Sequence, residues 1–497
     1  MPKDKPSIST KLNQYVLQYT DLKTDGKILF CKICNKSVTA DKIFTVKQHL
    51  QSTKHIQLKA NRVTKKQTQQ LIGESSALSI DDQFGEDLCS TFIAADIPLY
   101  KIRHDKIKSF LEKYTDHRVP SESNLRSIHV TNLYKASIEK VKHCIQNKYL
   151  WISIDETTDA VGRYIANVII GILHSVERIS KQKFLLNTAS LDAVNHSSIA
   201  RLFDDSIKIL GENFDRDLIL LFITDAAPYM IKAAHAIQIF YPKVTHLTCL
   251  VHGLHRVCEK IRCHYPKVDR LISNIKKVFL KAPSRMHIFK TLQPELKMPP
   301  RPIITRWATW INAVNYYANN FENISLVFDT LNSEEAASIQ IVKDLLQDNT
   351  IKMDIIFISS NYGHLVDSIT QLESYGKRLS EQIKIVTNAV NLIEQVHAKE
   401  AVAVKEKLVN VIKKNTGFSI LQNISSMLTG LPVINEVNEK YTIDETLAFK
   451  FAPITSVDVE RTFSMYKNVL RSNRQSFLFE NLKEIFVIYC NNNFNHD

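Results

Sequence analysis

Glycine and proline are scarce in this chain, 11 and 14 residues among 497, which excludes a fibrous or low-complexity architecture and favours helix. Eight cysteines in a chain of this length do not make the framework of a disulfide-stapled secreted protein. Long apolar runs are missing too. The longest uncharged apolar-rich stretch, Tyr164 to Val176, is shorter than the ~18 residues of a membrane helix, and no signal-peptide core precedes it. These absences predict a protein without a membrane segment, in a reducing intracellular compartment. What remains is an ordinary globular composition, 44% hydrophobic and 23% charged, in a length that accommodates two to four domains.

Positive charge is in excess and unevenly placed. The net charge is +13, and residues 1–70 hold 14 Lys/Arg against 4 Asp/Glu, a local balance of +10. A basic N-terminal module predicts a polyanionic partner, nucleic acid before a membrane surface, and with it the nucleus. A merely solvated charged face is the plain alternative.

Within that module the chain reads Cys31-x2-Cys34-x14-His49-x5-His55. A Cys-x2-Cys knuckle offers two thiolates from one turn, and a His pair on a helix and its end offers two imidazoles, together the tetrahedral set that structural Zn2+ takes. The x5 spacing predicts that the helix loosens between the histidines. Lys27–Phe30 and Ser37–Thr39 read as hairpin strands and Phe44–His49 as the helix start, giving ββα with Phe30 and Leu50 in the small core. Lys42, Lys47, Gln48, Lys54 and Lys59 are the candidate contacts to double-stranded DNA. The pattern resembles BED-type fingers and the finger of the CGG triplet-repeat-binding protein.

Residues 71–95 read as a linker and 96–148 as a helical DNA-binding or assembly region, with Ser121-x2-Asn124 as a helix start. From 149 the element order becomes informative. Apolar runs at 149–155, 164–174, 183–189, 218–225 and 244–251 read as strands, with helices at 197–213, 227–239 and from about 252. Two of the runs end on aspartates, Asp155 and Asp225. Chemistry in open α/β sheets collects at strand carboxyl ends, and two neighbouring carboxylates call for a divalent cation. The order βββ-α-β-α-β-α resembles the ribonuclease H-like fold, with Asp155 on its first strand and Asp225 on its fourth. A two-metal clamp needs a third carboxylate, for which Glu460, on a helix starting after Pro453 and with Arg461 beside it, is the candidate over Asp458, since Phe463 at i+3 and Ser464 at i+4 would face it toward the core.

Here a family resemblance becomes specific. Ser153-Ile-Asp-Glu-Thr-Thr-Asp159, Phe222-Ile-Thr-Asp-Ala-Ala227, Leu247-Thr-Cys-Leu-Val-His252, Thr305-Arg-Trp307 and Pro453-Ile-Thr-Ser-Val-Asp-Val-Glu-Arg-Thr-Phe-Ser464 resemble the serial motifs of hAT (hobo/Activator) transposases, in the family's order. The resemblance implies a catalytic triad of Asp155, Asp225 and Glu460 holding Mg2+ or Mn2+, and cleavage and strand transfer on DNA. It also implies an all-helical insertion over 266–445, and dimerisation, or a higher homo-oligomer, through a segment that ends near Cys490. Cys249 and His252 match an accessory motif beside the family's active site; a core cysteine and a satisfied histidine are the alternative. Trp307 matches a position that stacks a flipped base, with core packing as its alternative. The chain is short for the family, and the alternative function is a domesticated nuclear DNA-binding protein without catalysis.

The expected fold class is therefore α/β: a ribonuclease H-like core interrupted by a helical insertion and preceded by a ββα zinc finger. The expected boundaries are a finger over 1–70, the linker and helical region above, a first core part over 149–265, the insertion, and a closing helix with the dimerisation segment over 446–497.

Overall fold

The shortage of helix breakers is realised as a mostly helical, mixed α/β fold with one three-stranded and one five-stranded sheet. A computed structural model describes residues 8–59, 80–303, 306, 308–432, 440–470 and 478–494. The chain separates into two units, residues 1–87 with 108–120 and residues 88–107 with 121–497.

In the first unit, β1 (Leu22–Thr24), β2 (Leu29–Cys31) and β3 (Lys36–Val38) form an antiparallel meander. The helix Ile43–Leu50 follows, and a second helical stretch covers 53–59. This is more than the expected ββα. The extra strand and a preceding helix, Ile8–Gln18, exist because Leu12, Tyr15 and Leu22 are buried with Leu29, Cys31, Val38 and Val46 in one core. Phe30 is a correction: β2 alternates, so Leu29 and Cys31 point inward while Phe30 lies under the Lys23 ammonium, 5.6 Å from its ring centre. Leu50 packs at the margin of that core.

In the second unit the sheet order is β6-β5-β4-β7-β8, from β4 (Tyr149–Thr158), β5 (Tyr164–Leu173), β6 (Lys183–Leu191), β7 (Ile219–Thr224) and β8 (Thr245–Thr248). The first three are antiparallel neighbours, while β7 and β8 run parallel to β4. Side chains alternate between two cores. Leu150, Ile152 and Ile154 face the helices His196–Lys208 and Pro228–Phe240. Trp151, Leu221 and Ile223 face the opposite core, built with the helices Leu250–His264 and Val457–Val469 and the helical segments from 266 to 448. Alternation therefore sends Asp155 and Asp225, two residues on from Ser153 and Ile223, to that second face.

Four expected boundaries move. The strand expected to end on Asp155 runs on to Thr158, so Asp155 lies inside β4. Residues 80–94, expected as linker, form the helix Ile80–Ala94, because Leu88, Cys89, Phe92 and Ile93 recur at helical spacing and are buried. The helix expected over 197–213 ends at Lys208. The strand expected over 244–251 stops at Thr248, and Cys249 becomes the N-cap of the next helix, its N–H donating back to the Thr224 carbonyl at 2.8 Å.

Each edge of the large sheet is closed by an asparagine. Asn491, on the helix Phe479–Asn493, accepts from Leu185 N at 2.8 Å and donates to Leu185 O at 3.2 Å along β6. Asn415 accepts from Thr248 N at 3.1 Å and donates to Thr248 O at 2.7 Å along β8. Gly417 allows this approach, since a Cβ there would overlap the His246 carbonyl. A carboxamide so placed reproduces one residue of a neighbouring strand and satisfies an edge that would otherwise recruit another chain. The helix that the family resemblance assigns to dimerisation thus buries Leu482, Phe486 and Val487 within its own chain. Asn491→Leu should destabilise the second unit by about 2–4 kcal/mol, from two buried backbone groups left unpaired, and Asn415→Leu by about 1–3 kcal/mol, since the Thr248 groups are part-buried. Urea midpoints check this; a change below about 0.5 kcal/mol would contradict the clamp account.

Candidate active site and metal centre

The N-terminal group is built by two turns. Cys31 ends β2 and Cys34 follows in the knuckle, where Cys34 N donates to Cys31 Sγ at 3.4 Å. His49 lies in the last turn of the Ile43–Leu50 helix, and His55 lies beyond a break at 51–52, where Ser52 Oγ donates to His49 O and accepts from His55 N. The four ligand atoms lie within 4.8 Å of one another. His55 Nδ1 is 3.4 Å from Cys31 Sγ and 3.3 Å from Cys34 Sγ. A tetrahedral zinc with bonds of about 2.0–2.3 Å spaces its ligands roughly 3.3–3.8 Å apart, so the donors are near that spacing.

Two further features fit a metal. His49 Nε2 is buried with no hydrogen-bond partner, and burial, with the charges of Lys36 and His55, holds its pKa down. His55 Nε2 is 3.3 Å from Asp21 Oδ2, itself paired with Lys59 at 2.6 Å, so a carboxylate can fix the tautomer that leaves Nδ1 free to ligate. This Cys2His2-type group could bind Zn2+. Among the described residues it is the one cluster of potential ligands drawn so close. Lys42, Lys47, Gln48, Lys54 and Lys59 are all exposed around it.

In the second unit a polar row crosses the sheet face. Thr188, Asn167 and Asp155 are register partners on β6, β5 and β4. Extending the β4–β7 pairing Ser153↔Ile223 by two residues sets Asp225 alongside Asp155, about one strand spacing away. Asn167 accepts from Thr188 Oγ1 at 2.6 Å and donates to Thr462 Oγ1 at 2.8 Å, which ties the Val457–Val469 helix to the row. Glu460, two residues earlier on that helix, is close enough for its charge to act on Asp155. Its buried helix neighbours are Val459, Thr462 and Phe463, whereas Ser464 is exposed.

The electrostatics describe a crowded negative site. Burial, then the charges of Glu156, Asp225 and Glu460, push the Asp155 carboxyl well above its ordinary range, with His252 pulling the other way. Burial likewise raises Glu460, against the pull of His252 and Arg306. His252 Nε2 is 3.3 Å from Glu460 Oε1 and Arg306 is 3.8 Å from Oε2. The His252 contact lacks hydrogen-bond geometry, so Oε1 remains a buried oxygen without a hydrogen-bond partner. An aspartate raised by neighbouring acidic groups, with a glutamate oxygen near it that accepts no hydrogen bond, fits a divalent cation.

Cys249 serves as an acceptor, its sulfur taking the Ser456 N–H at 3.2 Å, while Ser456 Oγ lies 3.4 Å from His252 Nδ1. Arg461 turns away from the carboxylates: it donates to Glu373 O at 2.9 Å and stands 4.1 Å from the Tyr375 ring centre. Trp307 lies outside the described residues. Asp159, the second aspartate of the Asp-x3-Asp run, accepts from the Val161 and Arg163 amides and pairs with the Arg163 guanidinium, so its work is to close the β4–β5 turn.

Sequence reasoning missed Glu156, Ser456 and Tyr229. Glu156 faces the opposite side of β4 and accepts a short hydrogen bond from Tyr229 OH, while its other oxygen is buried without a hydrogen-bond partner. Tyr229 stands in the first turn of the helix Pro228–Phe240, four residues after Asp225, a spacing that could have been noticed.

Two family models match this chain. The CGGBP1 N-terminal domain matches residues 3–61, and a domain of unknown function, DUF659, matches residues 122–278. The first span contains all four Cys/His ligands; the second contains Asp155, Asp225, Cys249 and His252 and stops short of Glu460. No curated protein matches the chain.

Proposed function

We propose that this chain is a hAT-type, transposon-derived nuclear protein whose zinc finger binds double-stranded DNA and whose ribonuclease H-like core cleaves and rejoins it, acting as a homodimer or higher homo-oligomer. The observation that supports the catalytic half is that the charges of both Asp225 and Glu460 act on Asp155, while one Glu460 oxygen accepts no hydrogen bond. The sheet, three antiparallel strands followed by two parallel ones with the first strand at its centre, supports the ribonuclease H-like reading. The basic finger and the CGGBP1 match support the DNA-binding half.

Asp155, Asp225 and Glu460 would hold Mg2+ or Mn2+, which supplies stabilisation of the attacking and leaving oxygens of a phosphodiester. The chain's own residues do the rest. Ser456 and Glu460 orient His252 at the mouth of the site, and Arg306 sets a guanidinium beside Glu460, where a DNA phosphate would meet it. Trp307, adjacent in sequence to Arg306, is proposed to stack on a base drawn out of the duplex.

One observation favours the binding-only alternative: Glu460 is already matched in charge by His252 and Arg306. A nicking assay separates the two readings. On a duplex carrying the repeats that flank the gene, with Mn2+, the wild type should nick and join strands while Asp225→Asn binds and does not. Binding without nicking by the wild type would leave only the DNA-binding half.

A further inference from the structure

The segment Ala452–Ser456, which leads into the Glu460 helix, is irregular and belongs to neither sheet, yet its backbone is held from both sides. On one side Leu250 N donates to Ile454 O at 3.1 Å and Ser456 N donates to Cys249 Sγ at 3.2 Å. On the other side is a single side chain from the helical insertion. Gln382, on the helix Leu379–Glu394 and only 7% exposed, donates to Ala452 O at 3.0 Å and accepts from Ile454 N at 3.3 Å. Its second N–H goes to Lys377 O at 3.1 Å, so its two donors are committed. A glutamine buried for packing alone would be a poor choice, since an aliphatic residue fills the same volume without desolvating an amide. Here the amide supplies the hydrogen bonds of an absent strand. A second tie, Arg461 to Glu373 O, fixes the far side of the same helix to the insertion.

We infer that Gln382 is a positioning residue for Glu460, through which the helical insertion sets the third carboxylate near Asp155. The amide fixes the direction in which the chain enters the Val457–Val469 helix. Six residues after its Ile454 contact, that helix delivers Glu460. The insertion thus takes part in assembling the site from outside it. What the held segment is for rests on the metal-dependent reading; the holding itself does not.

The test uses the full-length protein with Gln382→Met, which keeps volume and removes the hydrogen bonds, and Gln382→Asn, which keeps the amide one methylene short. Three quantities are read: amide exchange at Ile454, Mn2+ affinity by electron paramagnetic resonance of the free ion, and cleavage kcat against the KM for DNA. For Gln382→Met we expect faster Ile454 exchange, Mn2+ affinity lowered about tenfold and kcat lowered with KM unchanged, as for the loss of a group that orients a metal ligand. Gln382→Asn should fall between it and the wild type, and it carries the test should the Met variant fail to fold. A folded variant with wild-type Mn2+ affinity and kcat overturns the inference, as does a loss confined to KM. A wild type that neither binds Mn2+ nor cuts fails the metal-dependent reading instead, while Ile454 exchange still reports whether Gln382 holds the segment.

Discussion

Removing the metal from the N-terminal group should unfold residues 8–59 and abolish DNA binding by that module. The core there consists of Leu12, Tyr15, Leu22, Leu29, Cys31, Val38 and Val46, closed by strands of three residues each. A module of this size buries too little to offset the entropy of ordering its chain. Structural zinc in comparable fingers contributes about 10–16 kcal/mol at neutral pH, more than the whole stability of most small domains. Without metal, His49 Nε2 is buried with nothing to bond and two thiols face each other. Under a strong chelator the amides of Leu29, Val38 and Val46 should lose protection from hydrogen exchange, and DNA affinity at low salt should fall by at least two orders of magnitude. Cys34→Ser should reproduce both effects without chelator. Asp21→Ala should weaken zinc by about 10–100-fold and leave the fold intact at excess zinc, because it removes only the group that orients His55. Retained protection in protein shown to be zinc-free would sink this reading.

Asp155→Asn should stabilise the metal-free protein while removing cleavage. The Asp155 carboxyl is raised by burial and by three neighbouring carboxylates. A carboxyl whose folded pKa exceeds its unfolded value costs stability at every pH above the unfolded value, because the folded state resists the charge that the unfolded state accepts. Asparagine keeps the shape and lacks the charge, so a gain on the order of 1 kcal/mol is expected at pH 7, fading as the pH falls from the raised folded pKa toward that of free aspartate, where it is gone. Cleavage in Mn2+ should drop roughly a thousandfold or more, the equivalent of several kcal/mol of lost transition-state stabilisation. Stability measured in urea at pH 7 and pH 4, beside cleavage rates, checks both halves. A variant that is less stable at neutral pH and still cuts would refute the assignment.

Much of this was legible because it is local. Apolar runs marked β4 and β7 and set an aspartate at the end of each run, and period-two alternation then sent both to one face. The Cys/His spacing gathered its group within a stretch of 25 residues. Other features were hidden because they depend on contacts that periodicity does not carry. Gln382 meets Ile454 across 72 residues, and Asn415 meets Thr248 across 167. Arg461 is next to Glu460 in sequence, yet helical rotation points it at Glu373 O. The helix Ile80–Ala94 was masked by a polar run before it, and Phe30 looked like core only until the strand's register placed Leu29 inside.

The central claim is that Asp155, Asp225 and Glu460 form one divalent-cation site. Its most direct test is Mn2+ titration of the zinc-loaded full-length protein, followed by the resonance of free Mn2+, for the wild type and Asp155→Asn. The account expects the wild type to take up Mn2+ and the variant to lose that uptake with the finger zinc undisturbed. Equal uptake by both, or none by the wild type, would contradict it.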